Sequence, residues 1–400
     1  MKKMCGERNV YFPLGRWCAI AMVSLMAVST AYAGPREQAK RIHDRLVGTP
    51  PDDSVPDSVL KKMTDLVMAG NAVEAAKIAM QDSKFYNTTL KNFVTPWTNI
   101  PQSVHEPLND YTATVIGMIR DENDIPFNQV LTGDFIYKGK PSVVPTEYSH
   151  TNNTHYIELE NNQVDLSTQL ERVPQSGLPE PLNANETAGI MTTRAFGEAF
   201  LKMGTNRRAI RFVAMNFLCR DLEGLHDVTR PPDRIRKDVD RSPGGDSSIF
   251  LNQCIGCHSG MDPLAQAFAH YNFDDALNRI VITPNAIQPK NHINAGNFPL
   301  GYLVASNRWD NYWRKGPNAA LGWDTSKPGS GDGIKSLGEE IASSRAFSQC
   351  QVQKVFRFVC LKDPVTATDQ SEVRRITDVF EAGYKMKNVF AEVAAYCKGN

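Results

Sequence analysis

Two cysteines and a histidine stand close together past the middle of the 400-residue chain. Residues 254–258 are Cys-Ile-Gly-Cys-His. Cys-x-x-Cys-His is the attachment motif of a c-type haem. Its two thiols form thioether bonds with the two vinyl groups of one porphyrin, and its histidine binds the iron. We therefore predict one covalently attached haem c, held by Cys254 and Cys257, with His258 as the proximal iron ligand.

Two other uses of a Cys-x-x-Cys pair fit the surrounding sequence less well. A thioredoxin-type redox pair belongs to a βαβ pattern, and no such pattern surrounds residues 254–258. Half of a zinc site needs a second pair of ligands at metal spacing. His150 and His155 have such a gap, but they lie far upstream in a polar stretch, where we expect solvated side chains. The sequence therefore favours haem.

The first 33 residues have the pattern of a secretory signal. Basic residues, among them Lys2 and Arg16, precede an apolar run over 17–28, and Ala31-Tyr32-Ala33 follows as a small-x-small exit. The apolar run is shorter than the ~20 residues that a transmembrane helix needs. We predict a signal peptide over 1–33, export to the periplasm or another exported location, and no transmembrane anchor after cleavage. An uncleaved membrane anchor is the alternative.

Composition is that of an ordinary globular protein. The chain is 41% hydrophobic and 22% charged, which excludes a disordered chain. It has 44 Lys and Arg residues and 44 Asp and Glu residues, so no excess of positive charge would attract nucleic acid. Only the N-terminal stretch is apolar enough to approach a membrane, which excludes a polytopic membrane protein. We expect no nucleic-acid partner.

The elements that must position the motif are predicted to be mainly α. Apolar residues recur at helical spacing in several segments, namely 36–48, 57–69, 72–80, 110–120, 206–219 and most of the chain after 334. Residues 138–187 and 283–333 are rich in polar residues, Gly and Pro, and we predict long irregular connections there, the first with room for a hairpin. The chain is thus predicted to have a helical N-terminal region (34–187), a helical cytochrome c-like haem domain with long loops (188–333) and a helical C-terminal domain (334–400).

The surroundings of the motif resemble a known family. Cys-x-x-Cys-His-x-x-x-Asp-Pro-Leu over 254–264, followed by an aromatic stretch ending in Asn-Phe-Asp at 274, is similar to the haem segment of large exported cytochromes first catalogued in planctomycetes. Weaker likeness extends over about residues 85–397, in the segments 189–193, 205–219, 231–232, 347–361 and 381–390. The resemblance implies an exported, helical monohaem cytochrome, and it brings no established reaction.

Four cysteines outside the motif follow the predicted signal peptide: Cys219, Cys350, Cys360 and Cys397. Disulfides persist in exported proteins. If 347–361 is one helix, Cys350 and Cys360 lie roughly 15 Å apart along its axis, beyond the roughly 7 Å between Cα atoms that a disulfide spans. This excludes that one pair and leaves two connectivities open. The resemblance implies Cys219–Cys350 together with Cys360–Cys397.

The sequence leaves the second iron ligand open. Candidate thioethers and imidazoles are Met191, Met203, Met261, His270, His292 and Met386. A thioether would raise the reduction potential, an imidazole would leave it lower, and a vacant position would admit small molecules. Nearby cations are either haem propionate partners or parts of a solvated loop; they are Arg230, Arg234, Arg236 and Lys237.

Three functions fit these features. The first is a periplasmic monohaem c-type cytochrome that transfers single electrons to and from a redox partner protein. The second is a haem enzyme, peroxidase- or oxygenase-like, with an open iron site and His226 or His270 as an acid–base group. The third is a binding module in which haem is a structural staple. The sequence favours the electron carrier and leaves the enzyme as the main alternative.

Overall fold

A computed structural model describes residues 33–178, 182–294 and 296–399. Apart from Ala33, the predicted signal peptide lies outside the described residues. The described chain is mainly helical, as predicted, with three short two-stranded ladders. No helix in this part of the chain is both long enough and apolar enough to cross a bilayer.

The α-helices of the described residues are α1 (Pro35–Val47), α2 (Val59–Met68), α3 (Ala72–Ala79), α4 (Lys91–Val94), α5 (Asp110–Arg120), α6 (Thr154–Asn161), α7 (Leu166–Gln169), α8 (Arg194–Phe196), α9 (Arg207–Phe217), α10 (Ser247–Ile249), α11 (Ile255–Ala265), α12 (Gly333–Ala342), α13 (Arg345–Cys360), α14 (Ala367–Glu381) and α15 (Met386–Tyr396). The strands pair in antiparallel fashion as β1 (Ile136–Gly139) with β2 (Leu170–Val173), β3 (Tyr271–Asp274) with β4 (Arg279–Ile282), and β5 (Arg308–Asp310) with β6 (Ser330–Asp332). Single π-helical turns are Phe85–Leu90, Gly197–Leu201 and Phe250–Cys254.

Helices from the two ends of the chain pack on one another. α1 contacts α2, α3 and α13, and α15 contacts α3, α13 and α14. The faces that meet are apolar at helical spacing, such as Ile42 and Leu46 on α1 and Val389 and Phe390 on α15. Buried apolar side chains form one continuous cluster from Ala39 to Ala394. The two ends of the chain therefore share one core. The division of the chain into three regions stays a prediction.

The two predicted irregular connections contain more structure than expected. The segment after 138 holds α6 and α7, and β1 pairs with β2 across it, with Ile136 opposite Val173. In the later connection Trp309 on β5 lies opposite Gly331, and its ring is buried. These elements are three to eight residues long, so each is too short to show a hydrophobic period.

Candidate haem site

The motif side chains are carried by a continuous helical run. Asp246 begins it by accepting a hydrogen bond from the backbone N–H of Ser248 at 2.8 Å. The π-helical turn Phe250–Cys254 then leads directly into α11. At about 100° per residue, Cys254, Cys257 and His258 project from one side of this run. We call this side the motif face, and all three side chains on it are partly exposed.

Cys254 and Cys257 are free thiols, whereas the other four cysteines of the described residues form disulfides. Cys219 pairs with Cys350 and Cys360 pairs with Cys397, with Cα atoms 5.2 and 5.6 Å apart, as expected. Burial, followed by the charges of nearby acidic residues, raises the pKa of the Cys257 thiol. Because neither motif cysteine is in a disulfide, both remain available for attachment chemistry.

The thiol of Cys254 lies beside apolar side chains. Cys254 packs against a small cluster formed by Ile235, Val239, Phe250 and Ile255, which is separate from the main core. Porphyrin is a flat and mostly apolar ring, so apolar side chains next to a thioether position suit it. The surroundings of Cys254 therefore fit a haem.

The back of α11 is packed too closely to hold a cofactor. A Cβ atom on Gly256 would overlap the imidazole of His226, and one on Gly260 would overlap the indole of Trp313. Gly256 lies about 160° from His258 around the helix axis. His226, one acid–base group considered from the sequence, therefore lies behind α11 and away from the motif face.

His258 forms a hydrogen bond with the buried carboxylate of Asp262, one helical turn further along α11. Its Nδ1 lies 3.1 Å from Oδ1 of Asp262, which is completely buried. A carboxylate accepts this hydrogen bond, so the neutral imidazole carries its hydrogen on Nδ1. The other ring nitrogen, Nε2, is then left with a lone pair that can bind iron.

Asp262 is the centre of a buried ionic network. Arg207 donates to both of its carboxylate oxygens, at 2.6 and 2.8 Å, and the backbone N–H of Arg236 donates to Oδ2 at 3.1 Å. Arg207 also donates to both oxygens of Asp238, at 2.5 and 2.8 Å. Burial alone would raise the pKa of Asp262, but the Arg207 guanidinium outweighs it and holds that pKa far below its usual range. Asp262 is therefore a carboxylate in the folded protein.

The arginines that precede the motif are held by the protein and do not form a solvated loop. Arg230 pairs with Asp227 at 2.9 Å and Arg234 with Asp310 at 2.6 Å.

Arg236 is only 1% exposed and donates from Nη1 to the carbonyl of Thr205 at 2.7 Å. Its Nε and Nη2 atoms have no hydrogen-bond partner. Such orphaned donors beside the network of Asp262 suit an anionic group, and a haem propionate is one.

The candidates for the second iron ligand differ in how deeply they are buried and in the contacts they make. Met386 is buried in α15, within the cluster of terminal helices, and Met191 is also completely buried. Met203 is 66% exposed. His292 has its Nε2 2.9 Å from the carbonyl of Val304, and burial lowers the pKa of His270. Met261 is buried in α11 itself.

The histidine pair considered for a zinc site is occupied by other contacts. His155 is buried, which contradicts the expectation that it is solvated. Its Nε2 accepts from the backbone N–H of Gly139 at 2.9 Å, and its Nδ1 lies 2.6 Å from the carbonyl of Thr146. Within 33–178, 182–294 and 296–399, no three His, Cys, Asp or Glu side chains are grouped to hold a metal ion.

Sequence reasoning found the motif residues but not the network behind them. Asp262 and Arg207 were visible only as parts of segments that carry the family resemblance. The spacing of four between His258 and Asp262 was an available signal, because residues four apart meet on a helix. The partners Arg207 and Asp238 come from distant segments, and no local pattern indicates them.

Comparisons with known proteins yield no match. No family model matches the chain, and no curated protein or solved structure is detectably similar to it.

Proposed function

We propose that the chain is an exported monohaem c-type cytochrome that transfers single electrons. One observation carries the proposal. Two free thiols and an imidazole share the motif face, and the imidazole is fixed through Nδ1 so that Nε2 is free for iron. Cys254 and Cys257 would hold the haem and His258 would be its proximal ligand. When bound, the group supplies a reversible one-electron couple between ferric and ferrous iron.

The remaining features support an exported haem protein. Two disulfides are typical of proteins in an oxidising compartment, and this agrees with the signal pattern at the N-terminus. The resemblance to planctomycete-type exported cytochromes points the same way. The partner would be a redox protein that docks transiently, and a simple carrier needs no second substrate site.

A haem enzyme with an open iron position is the second candidate, and one observation favours it. Hydrogen bonding of a proximal imidazole to a carboxylate raises the basicity of that ligand. An electron-rich iron suits reactions with peroxide or oxygen. The His258–Asp262 contact therefore favours the enzyme, and the occupancy of the second iron position separates the two functions.

The attachment is tested with cysteine variants. Haem in the wild-type protein should survive unfolding and extraction with acidic organic solvent, whereas Cys254→Ser/Cys257→Ser should release it. Each single variant should keep one thioether, and its pyridine haemochrome band should move to longer wavelength because one vinyl group stays conjugated. Cys360→Ser/Cys397→Ser is the matched control and should keep its haem. Covalent haem in the double motif variant would contradict the proposal.

Carbon monoxide separates the carrier from the enzyme. The visible spectrum of the reduced protein is recorded before and after CO is added. An unchanged spectrum is expected for a carrier with two strong iron ligands. A large shift would show an accessible iron and would support the enzyme instead.

A further inference from the structure

We infer that Asp262 is a positioning residue that sets the orientation of the proximal ligand His258 and lowers the reduction potential of the haem iron. The inference rests on the proposed function, because it concerns the ligand of that haem. It is carried by the contact between Nδ1 of His258 and Oδ1 of Asp262, at 3.1 Å inside α11.

The geometry allows the contact to act as a fixed link. Both residues lie on α11 four positions apart, so a rigid element sets their separation. Asp262 is completely buried, while the His258 side chain is 23% exposed. The carboxylate therefore approaches Nδ1 of the imidazole from the protein interior, and part of the ring stays exposed.

Asp262 itself has little freedom to move away. Its two oxygens accept four hydrogen bonds, two from Arg207, one from the backbone of Arg236 and one from His258. A carboxylate held in this way keeps the imidazole in one tautomer and one ring orientation. Partners of this kind also raise the basicity of the ligand, and a more basic ligand favours ferric iron.

Charge alone is a competing explanation, and the chain offers a matched control for it. Asp238 accepts two hydrogen bonds from the same Arg207 guanidinium. In the structure, His258 is paired with Asp262 and Asp238 with Arg207. Asp238→Asn and Asp262→Asn therefore remove the same charge from the same arginine. Only Asp262→Asn also changes the hydrogen bond to the imidazole.

The experiment measures the reduction potential of the holoprotein by spectroelectrochemistry. Asp262→Asn should shift the ferric–ferrous equilibrium at least tenfold further toward ferrous iron than Asp238→Asn does, which for one electron is ~59 mV. Equal shifts in the two variants would mean that Asp262 acts through its charge only, and would overturn the inference.

A measurement on unmutated protein covers the case in which Asp262→Asn does not fold. Histidine labelled with ¹⁵N is observed by NMR in the ferrous protein with carbon monoxide added, which is diamagnetic. The Nδ1 proton of His258 should appear at low field and exchange slowly with solvent, and it should do the same in Asp238→Asn. A rapidly exchanging Nδ1 proton would overturn the inference. Wild-type protein without haem would overturn both the inference and the proposed function, whereas equal shifts in coloured protein overturn the inference alone.

Discussion

At the scale of single residues, fixed backbone partners decide which protonation state a buried histidine can adopt. His155 donates from Nδ1 to the carbonyl of Thr146 and accepts at Nε2 from the N–H of Gly139. A second hydrogen on the ring would face the Gly139 N–H, so the folded protein needs the neutral imidazole. Burial accordingly lowers the pKa of His155.

This predicts a loss of stability in mild acid. The pKa of His155 is lowered from 6.5 in the folded state, so below about pH 6.5 the unfolded chain binds a proton that the folded chain does not. The free energy of unfolding should fall as the pH falls through this range. His43, whose pKa burial also lowers, acts in the same direction.

A glutamine at position 155 tests the origin of the effect, because its amide can donate and accept but does not titrate. Urea unfolding at about pH 7.5 and about pH 5.5 brackets the transition. His155→Gln should lose less stability than wild type between the two conditions. His105→Gln, at an exposed position, should lose as much as wild type. An identical loss in His155→Gln and wild type would contradict the assignment.

At the scale of elements, α11 is held in place by close contacts on the side opposite the motif face. Gly256 lies against His226 and Gly260 against the buried Trp313, with no room for a Cβ atom at either glycine. Because these two positions have no side chain, α11 can pack directly against His226 and Trp313. Cys254 and Cys257 stay partly exposed on the other side.

Gly260→Ala should therefore destabilise the protein. The helix gains up to about 1 kcal/mol from alanine, but displacing the Trp313 indole costs about 1–3 kcal/mol, so we expect a net loss in the free energy of unfolding. Gly224→Ala is the control, since its Cβ would be 3.7 Å from the nearest atom, in the flexible side chain of Arg220. Denaturant unfolding of both variants measures the difference, and equal stabilities would show that the back of α11 is not tightly packed.

The two disulfides should differ in how much they stabilise the fold. Cys219–Cys350 closes a separation of 131 residues and Cys360–Cys397 one of 37 residues. The loss of unfolded-chain entropy grows with loop length, which gives up to about 5 and about 4 kcal/mol. Double serine variants of each pair, compared by denaturant unfolding, should show the larger loss for the first pair. A larger loss for the second pair would contradict this order.

At the scale of the whole molecule, local patterns were predictable from the sequence and distant contacts were not. α5 has the bounds expected from its apolar spacing, and the helix that carries Cys350 forms as expected. The Cys-x-x-Cys-His motif is likewise five consecutive residues, and the haem it predicts stays a prediction. By contrast, the burial of Arg236 and the bond between Arg207 and Asp262 depend on segments far apart in the chain. The local periodicity of the sequence does not indicate such contacts.

The proposed function depends on thioether bonds that would fix one haem to Cys254 and Cys257. The most direct test is the mass of the mature protein, purified from the compartment to which the signal pattern would export it and measured after unfolding, together with the mass of the peptide that contains both cysteines. We expect coloured protein with the mass of one haem added, located on that peptide. Colourless protein with the mass of the bare polypeptide would contradict it.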